Sequence, residues 1–142
     1  MPPAVRMVCE IDKDLIDNYP LDTLSWVPNA QGVCGMIEEP PLVEVFFGLV
    51  EEHFEGTKLG LNMVSKVIKG QAIQLHSDRH DGGCKARIHI PLRTNEDSYF
   101  YTSGSFHHMQ AGFAYVIDPS EKHGVVNLGQ DDRIHLIFNM VH

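Results

Sequence analysis

Residues 118–138 read DPSEKHGVVNLGQDDRIHLIF. Asp118-Pro119 breaks the chain, 124–127 is a short run that ends in Asn127, and 129–132 is a turn of Gly, Gln and two Asp. Arg133-Ile134-His135-Leu136-Ile137-Phe138 then begins with polar and aliphatic residues in alternation, the period of a strand. The same punctuation recurs on the N-terminal side. Short apolar runs at 63–68, 72–76, 86–92, 98–101 and 113–117 are separated by Lys69-Gly70, Asp81-Gly82-Gly83, residues 94–97 and Ala111-Gly112. Many short strands at this spacing predict an all-β sandwich or jelly roll.

The first sixty residues read differently. Val43, Phe46, Phe47, Val50 and Phe54 fall at helical spacing, and Glu44, Glu51, Glu52 and Glu55 lie largely opposite them. Pro40 and Pro41 suit a helix start, Glu38 and Glu39 suit its positive end, and Gly56 suits its C-cap. The spacing predicts a helix over 43–54 whose apolar stripe packs on a sheet. The expected organisation is a single domain over 1–142. Residues 1–60 form a helical or irregular lead-in and 61–142 a β-rich, metal-binding core.

Composition narrows the function. The 142 residues suffice for a core without disulfides. Three cysteines, Cys9, Cys34 and Cys84, are an odd count without Cys-x-x-Cys spacing, which fits reduced thiols in a cytoplasmic protein. The N-terminal MPPAVRMVCEIDKD has no basic segment followed by an apolar run, so no secretory signal is expected. The longest apolar stretch, 43–50, is interrupted by Glu44 and Gly48 and is too short for a bilayer. A net charge of −8 argues against nucleic acid as the partner.

Nine histidines are unusual in a chain of this length, and most read as scattered surface imidazoles. His76-Ser77-Asp78 is different, because residues i and i+2 of an extended segment point to the same side. With His123 they make two histidines and one carboxylate, the facial set of non-haem Fe(II) oxygenases. By itself this triplet is weak, since nine histidines offer many such pairs. Arg87-Ile88-His89-Ile90-Pro91-Leu92 echoes Arg133–Phe138: in each, Arg and His share a face and the aliphatics take the other. Either strand alone is a half-buried strand with a polar face in water. Arg133, ten residues after His123, is close enough for a strand, a tight turn and a return beside it. A guanidinium near the metal would suit the far end of a dicarboxylate.

From Ser65 to Phe138, about half the chain, the sequence resembles the aspartyl/asparaginyl β-hydroxylase family of Fe(II)/2-oxoglutarate dioxygenases. The matching segments are Gly70 followed by His76, RIHIPL at 87–92, HHMQAGFAYVIDPSEKHGVVN at 107–127 and DDRIHLI at 131–137. The resemblance implies a double-stranded β-helix (cupin-like jelly roll) and Fe(II) held by His76, Asp78 and His123. Some members lack the acid and use the two histidines alone. It further implies that Arg133 grips the distal carboxylate of 2-oxoglutarate, assisted by Ser65, that His89 lies near the other carboxylate, and that Arg87 faces the substrate. Tyr115 departs from the family pattern, where a tryptophan is expected, and the N-terminal region is shorter than in larger members.

The expected reaction is hydroxylation of a C–H bond in a small substrate such as a free amino acid, or in an amino-acid side chain of a peptide. A metal-binding cupin dioxygenase that does not use 2-oxoglutarate, and a jelly-roll binding module without catalysis, are the alternatives. Other polar residues carry weaker signals. His80 reads as a solvated loop histidine. Adjacent His107 and His108 point oppositely on a strand. Tyr99 and Tyr101 share a face that suits either a substrate mouth or aromatic packing. Asn127 suits structural hydrogen bonds, and His135 suits a supporting place beside the site.

Overall fold

The computed structural model describes residues 4–29, 34–78 and 84–142. Within these the strands are β1 (Val5–Glu10), β2 (Val27–Pro28), β3 (Cys34–Glu38), β4 (Lys58–Val67), β5 (Ala72–His76), β6 (Cys84–Arg93), β7 (Ser98–Thr102), β8 (Ser105–His107), β9 (Phe113–Ile117), β10 (His123–Asn127) and β11 (Arg133–Val141). Two helices, α1 (Lys13–Asp17) and α2 (Val43–Glu51), precede β4. The strands form a seven-stranded sheet in the order β1-β9-β6-β11-β4-β3-β2 and a four-stranded sheet in the order β5-β10-β7-β8, antiparallel throughout. This is the double-stranded β-helix.

The alternation in RIHIPL and RIHLIF becomes two layers here. Ile88 and Ile90 of β6 and Leu136, Phe138 and Met140 of β11 are fully buried, in one core with Phe46 and Val50 of α2. Each such side chain contributes about 1.5–3 kcal/mol through removal from water. Phe47 adds an edge contact to Phe138, with centroids 6.2 Å apart. The opposite parity, Arg87 and His89 on β6 with Arg133 and His135 on β11, faces the small sheet and is buried too for His89, Arg133 and His135. β11 is therefore covered on both faces. A half-buried strand with its polar side in water does not describe it.

Three further differences from the sequence reading have physical causes. The lead-in is not only helical or irregular: β1 pairs with β9 and β3 with β4, while β2 adds an edge. Edge strands need no clean alternation, and VRMVCE has none. The predicted 43–54 helix stops at Glu51, because His53 and Phe54 turn their N–H groups to Val50 and Glu51, three residues back, before Gly56 takes φ +74°. Phe54 stays buried regardless. Finally, β11 does not return beside β10. It lies in the other sheet, so Arg133 approaches His123 across the sandwich.

Asn127, fully buried, ties the turn between β10 and β11 to its surroundings. Its Nδ2 donates to Val67 O (3.0 Å) and Asp131 O (2.9 Å), and its Oδ1 accepts from Ser98 Oγ (3.0 Å), Asn95 Nδ2 (3.1 Å) and Gly129 N (3.1 Å).

Candidate active site

His76 ends β5 and His123 begins β10, and the antiparallel register sets them directly opposite. Each ring is oriented the same way: Nδ1 lies 2.8 Å from the carbonyl two residues earlier, Gln74 O for His76 and Glu121 O for His123. A carbonyl only accepts, so each Nδ1 donates and each Nε2 is the ring atom turned toward Asp78, the one a metal would bind. Asp78 lies just beyond β5, and its backbone N–H donates to Pro119 O at 2.9 Å. Its Oδ1 stands 3.5 Å from His76 Nε2 and its Oδ2 3.3 Å from His123 Nε2. The ligand atoms of the three residues lie within 4.8 Å of one another. Phe100 of β7 stacks on His123, with centroids 5.5 Å apart and planes 16° from parallel.

The close approach of β5 to β10 depends on Gly124. A Cβ there would lie 2.9 Å from Ile73 O and 3.4 Å from Leu75 N, both backbone atoms, where the register slips beside His123. Gly124→Val is expected to lower stability by about 1–3 kcal/mol and to displace the strand that carries His76. Thermal melting together with cobalt titration checks this. An unchanged melting temperature with unchanged metal affinity would show that β5 is not held this way.

A cavity of about 470 Å³ opens between the sheets, and its volume suits a small molecule. His76, Asp78, His123, Arg87, His89, Ser65 and Arg133 all line it, with Leu61, Met63, Ile73, Phe100, Val125 and Ile137 as its apolar wall. All seven residues singled out from the sequence thus meet at one cavity. Arg133 is 2% exposed, and its Nη2 has no hydrogen-bond partner among the described residues. Burial pushes its pKa down to about 9. A buried guanidinium that lacks a counter-charge is costly, and an anion in the cavity would relieve that cost. Ser65 lies on the neighbouring strand, where Val67 pairs with Arg133 and Ser65 with His135.

From the cavity wall, His89 shares one hydrogen bond with His135 behind it, Nδ1 to Nδ1 at 3.1 Å. Burial, then the nearby Arg133 charge, holds both well below the usual imidazole range. The unfolded chain takes up these protons below about pH 6.5 and the folded chain does not, so stability is lost as pH falls through that value. The expected loss is about 1.4 kcal/mol in all for each histidine between pH 7.5 and 5.5, most of it below pH 6.5, read as a falling urea midpoint of metal-free protein. A His89→Asn/His135→Asn double variant should flatten the slope. A flat wild-type midpoint over this range would contradict the assignment.

Arg87, read from the sequence as facing substrate, has partners already. Its Nη1 pairs with Asp78 Oδ2 and its Nε donates to Asn139 Oδ1 at 2.8 Å. Asn139 was not anticipated, although its parity with Arg133, His135 and Ile137 is the signal that points to it. Phe100 was also missed, since nothing in its sequence marks an aromatic that stacks on a ligand. Tyr99 and Tyr101 turn away from the cavity and pack against Phe106, with centroids at 6.0 and 4.8 Å. His107 and His108 stay outside the cavity as well, and His108 Nδ1 donates to Ser98 O at 3.0 Å. Tyr115 is buried, and its hydroxyl accepts from Gln110 N–H at 2.9 Å. His80 lies outside the described residues.

Fold and ligand cluster together define a non-haem dioxygenase of the hydroxylating class. The model of the aspartyl/asparaginyl beta-hydroxylase family matches residues 38–142, and the chain belongs to that family. No curated protein matches the sequence. Among solved structures, HygX from Streptomyces hygroscopicus, crystallised with nickel and 2-oxoglutarate bound, is similar at a TM-score of 0.73 and 13% identity, covering 96% of this chain and 81% of that one. A prolyl-4-hydroxylase from Pseudomonas putida is similar at 0.67 and 13% identity, over 97% and 91% of the two chains. The cupin domain of Cnp3 from Schizosaccharomyces pombe follows at 0.59 and 8% identity, over 88% and 74%. These likenesses concern the fold. Among the described residues no helix is long and apolar enough to cross a membrane.

Proposed function

We propose that the protein hydroxylates a small carboxylic acid, such as a free amino acid, with Fe(II) held by His76, Asp78 and His123 and 2-oxoglutarate as co-substrate. The observation that carries this is the buried Arg133 guanidinium, whose Nη2 lacks a partner among the described residues, in the same cavity as two imidazoles. When bound, the metal would let dioxygen oxidise both reactants: one oxygen atom would turn C–H into C–OH and the other would enter succinate as 2-oxoglutarate loses carbon dioxide. The protein's own residues hold and orient the reactants. Arg133 and Ser65 would take the distal carboxylate of 2-oxoglutarate, and His89, kept neutral, would lie against its other end. Phe100 fixes the plane of His123, and Val125 and Ile137 keep that end of the cavity dry.

Arg87 retains donors beyond the two in use, and these would meet the carboxylate of the substrate. A cavity of this size favours a metabolite over a folded partner, and the acidity of the chain disfavours nucleic acid. The free cysteines support a cytoplasmic setting. Anaerobic titration with Fe(II) and 2-oxoglutarate should produce the weak visible charge-transfer band of the chelate. Screening free amino acids for stimulated succinate release then tests the substrate class, with Arg87→Ala as the control. Iron binding without affinity for 2-oxoglutarate would favour a cupin dioxygenase that uses no oxo-acid. Turnover stimulated only by a peptide would reject the small-molecule substrate.

A further inference from the structure

Asp78 is the least constrained of the three ligand residues. His76 and His123 sit on paired strands, whereas Asp78 lies past the end of β5, held through its backbone, among the described residues, by the bond to Pro119 O. Its side chain is fixed instead by Arg87, which reaches it from β6 in the opposite sheet. Arg87 is itself fixed by Asn139, its directly paired neighbour on β11, through the 2.8 Å bond from Nε to Oδ1. The chain Asn139, Arg87, Asp78 thus runs across the sandwich and ends at Oδ2 of the carboxylate. Oδ2 also lies 3.3 Å from His123 Nε2, whereas Oδ1, 3.5 Å from His76 Nε2, meets no guanidinium among the described residues.

Resting on the proposed metal site, we infer that Asn139 and Arg87 are positioning residues that occupy Asp78 Oδ2 and leave Oδ1 alone to bind the metal. A carboxylate that offered both oxygens would take up a coordination position that the open side of a facial triad must keep for other ligands. A guanidinium on one oxygen prevents this, and it also stops the acid from swinging away into solvent. Arg87 would then serve two anions, Asp78 with Nη1 and the substrate with its remaining donors.

Cobalt(II) is the probe, because its visible d–d bands report coordination number without turnover. Wild-type protein should bind one Co(II), and its bands should shift when 2-oxoglutarate is added. Arg87→Gln and Asn139→Ala should each weaken Co(II) binding by about 10–100-fold and alter the bands before any oxo-acid is added. Asn139→Asp, which restores an acceptor for Nε, should recover both. In an Asp78→Ala background the Arg87 and Asn139 substitutions should have no further effect on cobalt, and melting curves verify that each variant is folded. Equal losses with and without Asp78, or folded variants with wild-type affinity and spectrum, would overturn the positioning role while sparing the metal site. Failure of wild-type protein to bind Co(II) would overturn both.

Discussion

A His123→Ala protein is expected to melt cooperatively and to bind neither Fe(II) nor Co(II) at concentrations that saturate the wild type. The loss should exceed the roughly 100-fold effect that removing an outer partner of a metal ligand can cause. His76→Ala should behave alike, since the two imidazoles stand opposite each other with their Nε2 atoms turned toward Asp78. Metal binding by calorimetry and succinate release are the measurements. Full iron occupancy with turnover in either variant would remove the triad assignment. Asp78→Ala should weaken binding less, because two imidazoles remain. Neither ring belongs to the hydrophobic cores, although Phe100 of the smaller one stacks on His123, and melting curves separate a folding loss from metal loss.

The second large effect is expected at Arg133. Arg133→Ala should raise the 2-oxoglutarate requirement by about 2–5 kcal/mol, the cost of removing one partner from a desolvated charge pair. That is about thirtyfold to several thousandfold in concentration. Arg133→Lys should recover only part of it, because an ammonium cannot reproduce the planar fork. Stability should move the other way. Without 2-oxoglutarate the guanidinium is buried with one nitrogen unsatisfied, so Arg133→Met should melt no lower than wild type. A large drop in melting temperature would mean that Arg133 is chiefly structural. An unchanged 2-oxoglutarate requirement would leave the co-substrate to another group.

Much of this was readable along the chain, for a physical reason. Side-chain direction in a strand has a period of two, so RIHIPL and RIHLIF declare one apolar and one polar face before any partner is known. Strands β5 and β9 fall where the punctuation puts them, whereas Asp78 lies past the end of β5 and is met there by Arg87. Spacing from His123 suggested Arg133 as an anion partner, while the roles proposed for Ser65 and His89 come from the family resemblance alone. Pairing was out of reach. Sequence separation cannot tell whether a strand returns beside its predecessor or across from it, and β11 goes across. For that reason the polar face of β11 is buried instead of wet, and for the same reason His135 meets His89.

What the sequence by itself determined is local: the strand periods, the helical stripe on α2, the turns and the residue types able to bind a metal and an anion. Tertiary structure alone decided which faces meet. Arg87 illustrates the division. Its sequence neighbours mark it as a cation on the polar side of a strand. Its attachment to Asp78 and Asn139 joins residues 9 and 52 positions away, the first brought near when two sheets close on one another and the second when β6 pairs with β11. Contacts of that kind depend on register and sheet order, which are set by the burial of the whole apolar pattern at once and not by any single segment.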